Sequence, residues 1–173
     1  PYDDRISEIE YWCNRFHKLR LTPLYRGSSL GNLSFRLKED ENSFIITASE
    51  LIMKDNLTED MFVTVHSCDM IKGIACASGV RNPSSESMLH YAIYSKRKDV
   101  GAVFHGHSKL LLLNGEKLDI PVTLREEKPG SAALTESVLD ILGNETFLIM
   151  KNHGFLSLGR NMQEAGEQAV KFC

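Results

Sequence analysis

The stretch 101–108, Gly-Ala-Val-Phe-His-Gly-His-Ser, constrains this chain more than any other. Ala102, Val103 and Phe104 form an apolar run of β-forming residues, which predicts a strand. Side chains two apart on a strand point to the same face. A strand that continues to its last residue therefore projects His105 and His107 together from its end. Gly106 adds no side chain between them, so the backbone can approach whatever the histidines hold. This is the geometry of two metal ligands from one strand, and neutral imidazole suits zinc and similar divalent ions. The alternative is a pair of polar strand-end residues facing solvent.

The rest of the chain supplies helices and short strands around this one. Apolar residues at Ile6, Ile9, Trp12, Cys13, Phe16 and Leu19 have helical spacing and predict a helix over 6–19, ended before Thr22-Pro23. A glycine-rich turn at 27–32 leads into a strand at 33–37. A polar turn at 39–43 leads into a strand at 44–47. Two further strands are expected at 61–65 and 71–75. A helix over 84–97 follows Pro83, capped by Ser84 or Ser85, with Met88, Leu89, Ala92 and Ile93 as its apolar stripe. Beyond the histidine strand the pattern gives a short helix at 109–113, an irregular segment at 121–129 and a helix over 132–142 stopped by Gly143. An apolar strand at 146–151, a turn at 152–154, a returning strand at 155–158 and a last helix over 161–173 complete it. Strands joined by short turns, with helices before, between and after, predict an α/β fold with a mainly antiparallel sheet covered by helices.

Length and composition narrow the class. The chain has 173 residues, 42% of them hydrophobic and 25% charged, which fits one domain over 1–173 with a sizeable core. Net charge is −3 and no basic block is present, so no nucleic-acid partner is expected. No apolar run of about 18 residues and no signal-peptide layout occurs, which predicts a protein without a membrane partner in the cytoplasm. Cys13, Cys68, Cys76 and Cys173 are scattered and read as reduced thiols, not as a disulfide framework or a cysteine zinc site. The chain starts at Pro1 and stops at Cys173 inside a helical pattern, so both ends are read as trimmed.

A catalytic zinc usually takes three protein ligands and keeps one open position. His153, at a strand-to-turn junction beside Gly154, is the third candidate; alone it would read as a turn histidine bonding its own backbone. Glu86, in Pro-Ser-Ser-Glu, falls in the first turn of its helix. It reads either as an ordinary first-turn acid or as a carboxylate that moves a proton on a metal-bound substrate. Ser84 and Ser85 bring hydroxyls and free N–H groups to the same helix start, which favours an anion such as phosphate. The loops Gly31-Asn32-Leu33-Ser34 and Thr47-Ala48-Ser49 could add further donors. His17, His66 and His90 read as structural, although spacing alone does not exclude His66 or His90.

These five segments, Gly31-Asn32-Leu33-Ser34, Thr47-Ala48-Ser49, Ser84-Ser85-Glu86, His105-Gly106-His107 and Asn152-His153-Gly154, occur in the order and at about the separations seen in class II sugar-phosphate aldolases. The chain thus resembles the class II aldolase and adducin family, which includes L-fuculose-phosphate aldolase, L-ribulose-phosphate 4-epimerase and adducin head domains. The resemblance runs from the first helix to the last and is more specific for the family than for the reaction.

It implies a three-layer α/β/α fold around a mostly antiparallel sheet and a homotetramer with active sites at subunit interfaces. It implies one zinc per subunit on His105, His107 and His153, although another divalent metal could occupy the same histidines. Glu86 would be the acid/base. Gly31, Asn32, Ser34, Thr47, Ser49, Ser84 and Ser85 would form the pocket for a substrate phosphate. The implied function is a lyase that cleaves a short sugar phosphate by retro-aldol chemistry through a metal-stabilised enediolate. Alternatives are a 4-epimerase, decarboxylase or dehydratase of the same family, a noncatalytic adducin-like scaffold, or a purely structural zinc site. The adducin heads lack the zinc histidines, which favours a catalytic member. Two departures stand out. Glu50 occupies a position where family aldolases usually have glycine, beside the expected anion pocket. No tyrosine follows Tyr94, although the aldolases use late tyrosines near the reacting aldehyde.

Overall fold

The computed structural model describes residues 3–172. The last helix was expected to reach Cys173, and that residue lies outside the described part. In chain order the elements are α1 (Ile6–Lys18), β1 (Leu24–Tyr25), β2 (Ser28–Ser29), β3 (Asn32–Arg36), β4 (Phe44–Thr47), β5 (Phe62–Asp69), β6 (Ile74–Ser78), α2 (Ser87–Lys96), β7 (Ala102–Gly106), α3 (Lys109–Asn114), α4 (Ala132–Leu142), β8 (Phe147–Met150), β9 (Gly154–Gly159) and α5 (Met162–Phe172). Seven strands form one sheet in the order β6-β5-β4-β3-β7-β9-β8, every neighbouring pair antiparallel. The histidine strand β7 is in the interior of the sheet, between β3 and β9, and all its residues are buried.

Period-two alternation divides the core into two layers. Ala102 and Phe104 of β7, Phe35 of β3 and Phe155 of β9 pack on Ile9, Trp12, Cys13 and Phe16 of α1 and on Ala165 and Ala169 of α5. On the other face, Val103, Phe44, Ile46, Leu148 and Leu156 pack on Leu89 and Ile93 of α2 and Leu134 and Val138 of α4. The result is the three-layer α/β/α arrangement that the resemblance implied, built on the antiparallel, helix-covered sheet that the sequence pattern predicted. No helix among the described residues is long and apolar enough to cross a membrane.

The strand expected at 61–65 runs on to Asp69, and two element starts move for a local reason. The strand expected at 71–75 begins only at Ile74. Asp69 Oδ1 accepts from the N–H groups of Ile71 and Lys72, and Gly73 takes φ +68, so 70–73 close a turn that leaves Ile71 98% exposed. The helix expected from Ser84 begins at Ser87, and neither Ser84 nor Ser85 caps it. The Ser87 hydroxyl and N–H both donate to Ser84 O, and Pro83 bridges to Ala48, so 83–86 form a turn pinned to the end of β4.

Candidate active site and metal centre

His105 of β7 and His107 just beyond it project together, as their spacing requires, with ring centroids 4.7 Å apart. His107 lies one residue past the strand, held where its N–H donates to Leu21 O at 2.8 Å. His153 arrives from the turn between β8 and β9, its ring centroid 5.0 Å from His105 and 5.3 Å from His107. Gly154 permits this approach. A Cβ there would lie 2.5 Å from Gly106 O and 2.7 Å from the His105 ring, closer than any side chain can be accommodated. The three histidines each bring a ring nitrogen within 4.8 Å of the others, a set that can hold a metal ion.

Glu86 faces this set from the N-cap of α2, with its side chain making no capping bond. Its Oε2 lies 3.3 Å from His105 Nε2 and its Oε1 3.3 Å from His153 Nε2. Asn32 Nδ2 donates to Oε2 at 2.7 Å, across from the end of β3. Glu86 is only 5% exposed, and burial raises its carboxyl above the usual carboxylate range.

The chemistry of the donors fits a divalent cation. Phe155 O can only accept, so the 2.9 Å contact from His105 Nδ1 puts the ring proton on Nδ1 and leaves a lone pair on Nε2. That Nε2 and Glu86 Oε1 are both buried without a hydrogen-bond partner, the first facing Glu86 Oε2 and the second facing His153 Nε2. Burial also pulls His105 down to about 3 and His107 to about 2, so both rings are neutral at ordinary pH. Neutral, desolvated imidazoles with an unsatisfied carboxylate beside them are what a metal site offers.

The centre opens into a cavity of about 700 Å³, large enough for a sugar-sized ligand. Of the residues expected to hold phosphate, Gly31, Asn32, Ser49, Ser84 and Ser85 line it, together with Glu50. Ser34 and Thr47 do not. Ser34 is fully buried beneath α2, its hydroxyl 2.7 Å from His90 Nδ1 and 2.8 Å from Tyr94 OH. Thr47, also fully buried, presents its hydroxyl to the N–H of Leu33. Even Ser49 commits its N–H and hydroxyl to Asn82 O.

The remaining histidines stand apart from this centre. His66 is exposed and bonds Ser78, His17 lies 3.9 Å from Asp55, and His90 is fully buried against Ser34. Sequence reasoning passed over Lys54, Glu126, Glu127 and Tyr25, all of which line the cavity. Tyr25 ends the two-residue strand β1 and the others lie in connecting segments, all too short or irregular for a period to separate them from ordinary surface side chains.

Similarity to known proteins agrees with this geometry. The sequence profile of the Class II Aldolase and Adducin N-terminal domain matches residues 7–172. An L-fuculose phosphate aldolase of Methanococcus maripaludis is 30% identical over 155 residues, 82% of this chain and 79% of that protein. A methylthioribulose-1-phosphate dehydratase of Gluconacetobacter diazotrophicus is 36% identical over 108 residues, 62% of this chain and 47% of that one. The solved structure of an L-fuculose 1-phosphate aldolase covers 100% of this chain and 84% of its own, with a TM-score of 0.77 at 21% identity. The chain belongs to the class II aldolase and adducin family, and within it to the enzymes, the class II aldolase-type lyases.

Proposed function

We propose that this protein is a divalent-metal-dependent lyase, with zinc as the metal, that cleaves a short sugar phosphate by a retro-aldol reaction. The observation that carries the reading is the convergence of His105, His107 and His153 with Glu86 3.3 Å from two of their rings, on one wall of a cavity of sugar size. The three histidines would hold one ion per subunit and leave a position open to the substrate. When bound, the ion supplies Lewis acidity to the oxygens of a ketose.

The chain's own residues do the rest. In cleavage, the hydroxyl on the departing carbon gives its proton to solvent as that carbon becomes an aldehyde, its bond to the carbon beside the carbonyl breaks, and the electron pair moves toward the carbonyl. Glu86 delivers a proton to the carbon left behind, and in the reverse direction removes it. Asn32 holds Oε2 by its 2.7 Å bond, which leaves Oε1 as the oxygen free to carry that proton. Burial of the carboxylate keeps water from competing for it. The relative named as a dehydratase supports a second reading, dehydration of a sugar phosphate, in which the same carboxylate removes the proton beside the carbonyl.

The protein is further proposed to work in the cytoplasm as a homotetramer with active sites at subunit interfaces. Large apolar side chains left exposed around the β5–β6 hairpin, Ile71, Ile74 and Val80, support an interface there.

The deciding measurement is solvent deuterium exchange into dihydroxyacetone phosphate, with metal-loaded protein and a chelator-treated control. Chelator-sensitive exchange is expected. Metal-loaded protein that exchanges nothing would overturn the aldolase reading and move the dehydratase, epimerase and decarboxylase alternatives ahead.

A further inference from the structure

Lys54 lies between β4 and β5 in the wall of the cavity, and it is 2% exposed. Its Nζ donates to Ser29 O at 2.8 Å and Leu30 O at 3.4 Å. An ammonium has three donors, so one is left for the cavity. Neither carbonyl carries a charge, and among the described residues Lys54 takes part in none of the ion pairs. Glu86, across the same cavity, favours the charge of Lys54 only from beyond ion-pair distance, and a buried cation without a contacting counter-ion is costly unless something else supplies the charge. Burial pulls Lys54 down to about 8, which still leaves it protonated at neutral pH.

The donors nearby sharpen the case. Ser34 and Thr47 keep their hydroxyls inside the protein and Ser49 turns its hydroxyl to Asn82 O, so three of the expected phosphate contacts are already used. Glu50 lines the same cavity but is exposed at its rim, in a left-handed conformation with φ +57. Its charge is screened by solvent, whereas the charge of Lys54 is not.

We propose that Lys54 is the residue that selects a phosphorylated substrate, its ammonium acting as the buried counter-ion of a phosphate monoester beside the Ser29–Gly31 loop. The inference rests on the reading of this cavity as a sugar-phosphate site and goes beyond it by naming the group that reads the charge. Lys54 also ties the loop that leads into Asn32, so charge recognition and loop position meet in one side chain.

The test compares wild type with Lys54→Gln, Lys54→Met and Lys54→Arg, each checked for folding by circular dichroism. The first probe is inorganic phosphate, followed by calorimetry. Whichever neutral variant folds should bind phosphate about 10- to 100-fold more weakly, with Lys54→Arg recovering part of the loss. The second readout is the ratio of kcat/KM for deuterium exchange into dihydroxyacetone phosphate over that into dihydroxyacetone. This preference should collapse by a similar factor. Phosphate binding equal to wild type in a folded neutral variant, or no phosphate binding by wild type, would overturn the assignment. An unchanged preference ratio would do the same and leave Lys54 as a loop tie. Phosphate binding needs no turnover, so it judges Lys54 even where the absence of exchange has sunk the lyase reading.

Discussion

At the scale of single residues, Glu86 shows how position creates reactivity. A glutamate at a helix start is ordinary, because the free N–H groups favour it there. Here the side chain makes no capping bond and is turned instead between two histidine rings and Asn32. Glu86→Gln keeps the shape and the Asn32 neighbour but cannot carry the proton. The variant should retain its metal by elemental analysis and lose about 10²- to 10⁴-fold in turnover. Wild-type turnover would return Glu86 to the role of a helix-start residue. Asn32 and Ser34 came from one motif, and the tertiary structure separates them. Asn32 begins its strand at the cavity, whereas Ser34, two residues further in, is covered by α2 and spends its hydroxyl on His90 and Tyr94.

At the scale of elements, the placement of α2 depends on a side chain with no periodic signal. Arg36, the last residue of β3, is 4% exposed and reaches under the C-terminal end of that helix. Its guanidinium donates to Tyr94 O and Arg97 O at 2.8 Å each, to Val100 O at 2.9 Å, and to Glu41 O. These include the last carbonyls of α2, which have no partner within the helix and carry the negative end of its dipole. A strand arginine therefore caps the helix whose other end presents Glu86. Arg36→Met should leave several buried carbonyls unsatisfied and cost about 3 kcal/mol, read as a lower urea midpoint at unchanged slope. Because α2 also carries Glu86, turnover should fall more than metal content.

At the scale of the whole molecule, the site sits where one end of the interior strands meets the turn between β8 and β9 and the start of α2. The sheet's outer edge is treated differently. β6 is largely exposed, and Ile71 and Val80 at its two ends are 98% and 83% exposed. An open, apolar strand edge invites pairing unless it is covered. The protein should sediment as a tetramer, and the double variant Ile71→Asp, Val80→Asp should sediment as a smaller species that keeps its circular dichroism. A variant that still forms the full assembly would place the interface elsewhere.

Periodicity by itself determined the helices and the strands of a sheet they cover, because alternation in strands and 3.6-residue spacing in helices are local properties that burial enforces on any chain with this pattern, whereas the three-layer order came from the resemblance. It also determined the pairing of His105 with His107, since residues two apart along extended chain point to the same face. Helix starts and turns were less legible, as at Asp69 and Ser84, because a few side-chain hydrogen bonds decide them and several partners compete. His153 was already the third candidate in the sequence, but its approach to the other two histidines, the Asn32–Glu86 bond, the burial of Lys54 and the use of Ser34 for packing were decided only by tertiary structure. Each joins segments tens of residues apart, and which polar group is left facing a cavity depends on what the rest of the fold has already buried.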